Sequence, residues 1–203
     1  MVRIHFYRPG PGVLPRPRLA SNVRPYMTPT LCLVLAEYNH WMNQRMYDAA
    51  AKLSDDQLFA DRRAFFGSLF NTLNHIAVGD LIWLHRFAQS GQFGELTAAM
   101  TNLAVPTSLT QPVATTLADL RALRIEVDQA ILGLAKTVTA EQLAQTLQYA
   151  NTSGKKQAKS FGLLLLHLFN HQTHHRGQVS TLLFQAGIDV GVTDLNALIV
   201  NEA

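Results

Sequence analysis

Apolar residues recur every three or four positions in four long stretches of the chain, the spacing of an amphipathic helix with one buried stripe. The first stretch runs from Pro29 to Leu53, with Leu31, Leu35, Tyr38, Met42, Met46 and Ala49 as its stripe. Thr28 is placed to cap it, and Pro29 suits its first turn. The second, Ser68 to Gln89, carries Leu69, Leu73, Ile76, Ile82 or Trp83, and Phe87. The third, Pro112 to Lys136, carries Leu117, Leu120, Leu123 or Arg124, Val127, Ile131 and Leu134. The fourth begins with Ser160 as cap and runs to Ala186, where Gly187 stops it.

The segments between them add detail. "SDDQ" at 54–57 and "TAEQ" at 139–142 have the form of capping boxes and predict two short helical turns. Ser90-Gly91 ends the second helix, and a loop rich in threonine follows to Thr110. That is longer than the roughly 2–8 residues usual in a bundle, so helices two and three are expected to be joined by a crossover. "TLQYANTSGKKQAKS" breaks the helical period, and its "NTSG" turn predicts a small β-hairpin before the last long helix. Beyond Gly187 the chain reads as irregular, with a short helix near 194–200. The fold class predicted is all-α, a four-helix bundle with a crossover connection.

Charge divides the chain in two. The net charge is +3, but residues 1–26 hold five arginines, five of the eight prolines and no acid. The remainder has 12 Lys+Arg against 14 Asp+Glu. The expected organisation is a basic, Pro-rich, disordered or extended tail over 1–26 and a single helical domain over 27–203. The tail lacks the apolar core of a secretory signal, its prolines argue against a transit peptide, and "MTPT" at Met27 reads as a natural start. The body lacks the basic footprint of a nucleic-acid binder. No apolar run approaches the roughly 18 residues of a membrane helix. The single cysteine, Cys32, excludes an internal disulfide and suggests a cytoplasmic protein. It sits among apolar neighbours and reads as a packed small hydrophobe.

The candidate chemistry lies in "HLFNHQTHHRGQ". Half of the chain's eight histidines, His167, His171, His174 and His175, fall within nine residues. Residues four apart on a helix are offset by about 40°, so His167, His171 and His175 form a ladder. His171 and His175 have the His-x-x-x-His spacing that can converge on a metal, without the glutamate of a His-Glu-x-x-His protease. Burying neutral imidazoles without partners is unfavourable, and a metal ion resolves this. A third ligand should come from a facing helix, where His40, His75 and His85 are candidates. His75 lies mid-helix in an apolar stretch and is the choice. Asp80, about 140° around the helix from it, is a poor partner for the same ion. Gln178 could orient His175. Gly177 suggests close approach of a neighbouring helix, and Arg176 reads as a surface or interface charge. Three protein ligands leave coordination positions open, the pattern of a catalytic site.

"HLFNHQTHHRGQ", "LNHIAVGDLIWLHRF" and "AEYNHWMNQRMY" together resemble the DinB/YfiT-like family. The resemblance runs from Met27 to about Asp194 and leaves the basic tail outside. It implies a four-helix bundle with a crossover, a homodimer, and one divalent metal, zinc or nickel. Carried over by position, the ligands would be His75, His171 and His175. His174, His167, Asn39, Trp41 and Asn43 are then candidates for the surrounding pocket. The resemblance also implies a small-molecule substrate. The reaction would be transfer of a low-molecular-weight thiol to an electrophile, or hydrolysis. The alternative is a non-catalytic metal-binding stress protein or dimeric scaffold.

Overall fold

The structure, a computed structural model, describes residues 27–202, so the expected tail over 1–26 lies outside the described residues. Four long helices dominate: α1 (Pro29–Ala50), α3 (Leu69–Ala88), α5 (Leu117–Thr137) and α7 (Phe161–Gln185). Shorter elements join them: α2 (Asp55–Phe59), α4 (Gly94–Met100), α6 (Ala140–Leu143), and a hairpin of β1 (Thr146–Ala150) and β2 (Lys156–Ser160). A 3-10 turn over Leu195–Leu198 follows α7. No helix among the described residues is long and apolar enough to cross a membrane.

Local chemistry sets the helix starts. The hydroxyls of Thr28, Ser68 and Thr116 each accept a backbone N–H from the first turn of α1, α3 and α5. Both predicted capping boxes form, at Ser54/Gln57 and Thr139/Gln142. The cap at Thr116 moves the start of α5 five residues beyond Pro112. Ser160 precedes α7 as predicted, but its hydroxyl makes no capping bond. At the far end of α7, Gly187 takes the left-handed backbone (φ 83). In the hairpin, Thr146 pairs with Ser160 and Ala150 with Lys156. Its turn is held by the Asn151 side-chain oxygen, which accepts from the N–H groups of Ser153 and Lys155.

The long helices form a ring in which α1 adjoins α5 and α7, and α3 adjoins the same two. Contacts along the helices give their directions. Asn74 on α3 meets Gln111 and Val113 just before α5, and Asp80 meets Arg124 further along, so α3 and α5 run parallel. The connection between them must therefore travel back along the bundle, which is the expected crossover. Part of it is helical rather than loop: α4 packs against α3 and α5 through Leu96 and Met100. Gly94 and the threonines masked this helix, although Phe93, Leu96 and Met100 already had helical spacing.

The stripe expected on α1 is also rotated. Leu31 is 41% exposed, and the buried face runs through Cys32, Ala36, Asn39, Asn43 and Tyr47 as well as Met42 and Met46. Hydrophobicity misplaced this face because its centre is polar. Asn43 donates to Asp128 of α5 (2.9 Å) and to Gln172 of α7 (3.2 Å). Arg124 donates to Asp80 (2.5 Å) and forms an ion pair with Asp128 (2.9 Å), and all three side chains are buried. Arg176 donates to Asn39, Gln172 and Thr173. Its side chain is therefore a core group, not the surface charge expected from the sequence. Two arginines and two aspartates cancel formally in this layer. Burial pushes the Asp80 carboxyl up to about 6 against the opposing pull of Arg124, and pushes Arg176 down to about 10.

Removing one partner of a buried ion pair strands the others without water. Arg124→Met is expected to destabilise the fold by about 3–5 kcal/mol in urea denaturation. A loss below about 1 kcal/mol, the range of exposed pairs, would show that the layer is not a coupled unit.

Candidate metal centre

His75 sits in the middle of α3 on the side facing α7, and His171 and His175 project from α7 one turn apart. One glycine lets the two helices close on each other there. A Cβ at Gly79 would lie 2.7 Å from His171 Cε1, inside any normal contact distance. The His171 ring thus occupies the place of a missing side chain on α3.

The three imidazoles converge. His75 Nε2 and His171 Nε2 are 3.2 Å apart, and one ligand atom from each of the three rings lies within 4.8 Å of the others. Two nitrogens on a tetrahedral zinc at about 2.05 Å would be about 3.3 Å apart. Facing nitrogens this close need either a proton or a cation between them. The outer nitrogens are fixed by acceptors: His75 Nδ1 donates to the Leu109 carbonyl (3.2 Å), and His175 Nδ1 donates to Gln178 Oε1 (2.8 Å). A carbonyl oxygen can only accept, so both protons sit on Nδ1 and each Nε2 carries a lone pair. His171 Nδ1 is buried with no hydrogen-bond partner. The donor set and spacing fit a divalent ion.

Electrostatics keeps these rings neutral, the form a metal requires. Burial, reinforced by the neighbouring histidines, pushes His171 down to about 3. Burial pushes His175 down to about 4, although the Gln178 bond opposes it. Burial also lowers His75, against the Leu109 carbonyl. Phe66 closes one side, stacked on His75 with ring centroids 4.1 Å apart and edge-on to His175 at 5.4 Å. His171 is half-buried, whereas His75 and His175 are buried.

The other expected residues fall in different places. His174 is exposed beside His175, and His167 is exposed against Trp83 and 6.0 Å from the His171 ring. Gln178 orients His175 as expected. Asn39 and Asn43 belong to the buried polar layer, and Trp41 packs on Tyr38 and under Arg45. None of the three joins the histidine cluster. His40 faces Asp128 (3.5 Å), and His85 is held near the backbone of Leu103 and Ala104, so neither competes with His75. Gly177 does not mark close helix approach: a Cβ there meets no atom within 4 Å. The close approach is at Gly79, which the same argument could have found four residues after His75. The Leu109 carbonyl and Phe66 left no signal, since both act through loop placement.

The family model described as DinB family matches residues 27–201. The chain is 32% identical over 162 residues to Protein DinB of Bacillus subtilis (strain 168), covering 79% of this chain and 88% of that protein. It also resembles the crystal structure of a DinB-like protein from Bacillus cereus ATCC 10987, with a TM-score of 0.56 and 23% identity. That match covers 77% of this chain and 91% of the other.

Two outcomes follow for the metal-free protein. Depressed histidine pKa values mean that the unfolded chain binds more protons than the folded one. Their stabilising contribution is complete above the ordinary 6.5 and is lost as pH falls towards about 4 for His175 and about 3 for His171. Stability should therefore fall between pH 6.5 and 4.5 by up to about 1.4 kcal/mol per pH unit for each such ring. The slope should be shallower in His171→Asn, and equal slopes would contradict the assignment. Gly79→Ala, which in an ordinary helix gains about 0.5–1 kcal/mol, should instead lose about 1–3 kcal/mol by overpacking His171. Urea denaturation reads the sign directly.

Proposed function

The chain belongs to the DinB family, and we propose that it is a metal-dependent enzyme holding one divalent ion, zinc or nickel, on His75, His171 and His175. The observation that carries this is the convergence of three neutral imidazoles, two of them with Nδ1 already committed to oxygen acceptors. Four oriented nitrogens or thiolates would suit a closed structural site. Three, with His171 only half-buried, favour a centre that admits another ligand.

The ion would supply Lewis-acid activation of a water or a thiol. The chain does the rest. Leu109 and Gln178 hold the His75 and His175 rings in position, and Phe66 keeps water from the His75 face. His174, exposed beside His175, would be the group that exchanges a proton with a bound substrate. Cys32 is buried, and burial pushes its thiol up to about 12, so it cannot serve as the nucleophile. A thiol reaction therefore needs a low-molecular-weight thiol from outside, transferred to a small electrophile. Hydrolysis of a small molecule is the other reaction open to the same centre. We further propose that residues 27–203 form one domain and that the protein is a homodimer.

Elemental analysis of the purified, untagged protein tests it. About one equivalent of transition metal is expected, lost in His75→Ala, His171→Ala and His175→Ala and retained in His85→Ala. Full metal content in His75→Ala would remove that residue from the ligand set. The loaded protein would then be assayed for loss of a small thiol with an added electrophile. Each ligand substitution should lower turnover by at least about tenfold.

A further inference from the structure

The loop that carries Phe66 also walls a cleft beside the histidines. It has a volume of about 420 Å³, and Arg62, Arg63, Phe65, His174, Gly177 and Gln178 are among its lining residues. Its size is that of a small-molecule site, far larger than a bare ion needs. No aspartate or glutamate lines it.

Neither arginine has an ionic partner among the described residues. Arg62 Nη2 donates only to the Gln57 carbonyl, at 3.3 Å, and its Nε is buried with no acceptor. Arg63 has the left-handed backbone (φ 54), unusual for a residue with a side chain. The nearest acid in the chain, Asp61, accepts the Arg63 backbone N–H at 2.9 Å rather than a guanidinium. The loop closes through Arg62 N–H to the Gly67 carbonyl and Gly67 N–H to the Ala64 carbonyl. The two successive arginines thus share one wall of the cleft. On the α7 side, Gly177 leaves open space where a side chain would project. Gln178 lines the cleft and also accepts from His175, so cleft and histidines share a residue.

We propose that this cleft binds a small organic molecule through a compact oxyanion, a carboxylate or phosphate, held by Arg62 and Arg63 with the rest of the molecule over Gly177. Guanidinium forks match such oxyanions in two parallel bonds. The molecule's role as substrate or cosubstrate rests on the metal-enzyme reading, whereas its binding does not require the ion.

Calorimetric titration of the full chain with benzoate and with phenyl phosphate tests this, with benzyl alcohol as the neutral counterpart. Each titration is run with metal present and after chelation. At least one anion should bind saturably and more tightly than the alcohol by about tenfold or more. The stronger of the two identifies the oxyanion. Arg62→Gln with Arg63→Asn, the latter chosen because asparagine tolerates the left-handed backbone, should weaken binding by at least about tenfold. Gly177→Leu, on a different element, should do the same by filling the cleft. Chelation should leave the affinity within about threefold. Absence of saturable binding by both anions, full affinity in both variants, or loss of binding on chelation would overturn the proposal. Failure of the metal reading appears separately, as a protein that holds no metal yet still binds the anion.

Discussion

The centre depends on how closely α3 and α7 approach at Gly79. With no Cβ on α3, the His171 ring lies directly against the backbone of the facing helix, and this brings its Nε2 to 3.2 Å from that of His75. Any side chain at that position would separate the helices or rotate the ring. The convergence of imidazoles is thus decided by an absent methyl group, and the histidine sequence alone would not create it.

The buried layer of Asp80, Arg124, Asp128, Asn43, Gln172 and Arg176 complements that contact. Apolar packing tolerates sliding by a turn, because one leucine can replace another. A charge pair sealed from water does not, since any slip leaves an ion unpaired. Asp80 follows Gly79 directly, and Arg176 follows His175. Each helix therefore carries one site position beside one position of the polar layer. Alignment of the charges and alignment of the histidines are the same alignment.

Periodicity made much of this legible. All four long helices, both capping boxes and the hairpin follow from spacing and turn chemistry, and the His75, His171 and His175 grouping from the density of imidazoles together with the family resemblance. The failures have specific causes. The buried face of α1 was misplaced because its centre is amide rather than hydrocarbon, and hydropathy cannot distinguish a buried, hydrogen-bonded Asn39 or Asn43 from a solvated one. Arg176 was misplaced for the same reason. Gly177 and Gly79 look alike in sequence, and only the packing shows that one opens a cleft and the other admits a ring. The part of the site supplied by loops, Phe66 and the Leu109 carbonyl, has no periodic signature.

The order of the helices along the chain has a consequence for biosynthesis. His75 and His171 are separated by 96 positions, and the Asn39–Arg176 bond spans 137. A ribosome delivers α1, α3 and α5 well before α7. Until α7 emerges, the first three helices hold a half-built polar layer and only His75 of the three clustered histidines. Closing such long loops is slow and must precede the contacts that reward it. The nascent chain therefore waits on its last long helix both to neutralise its interior and to bring the three imidazoles together, so the grouping cannot form before α7 has emerged.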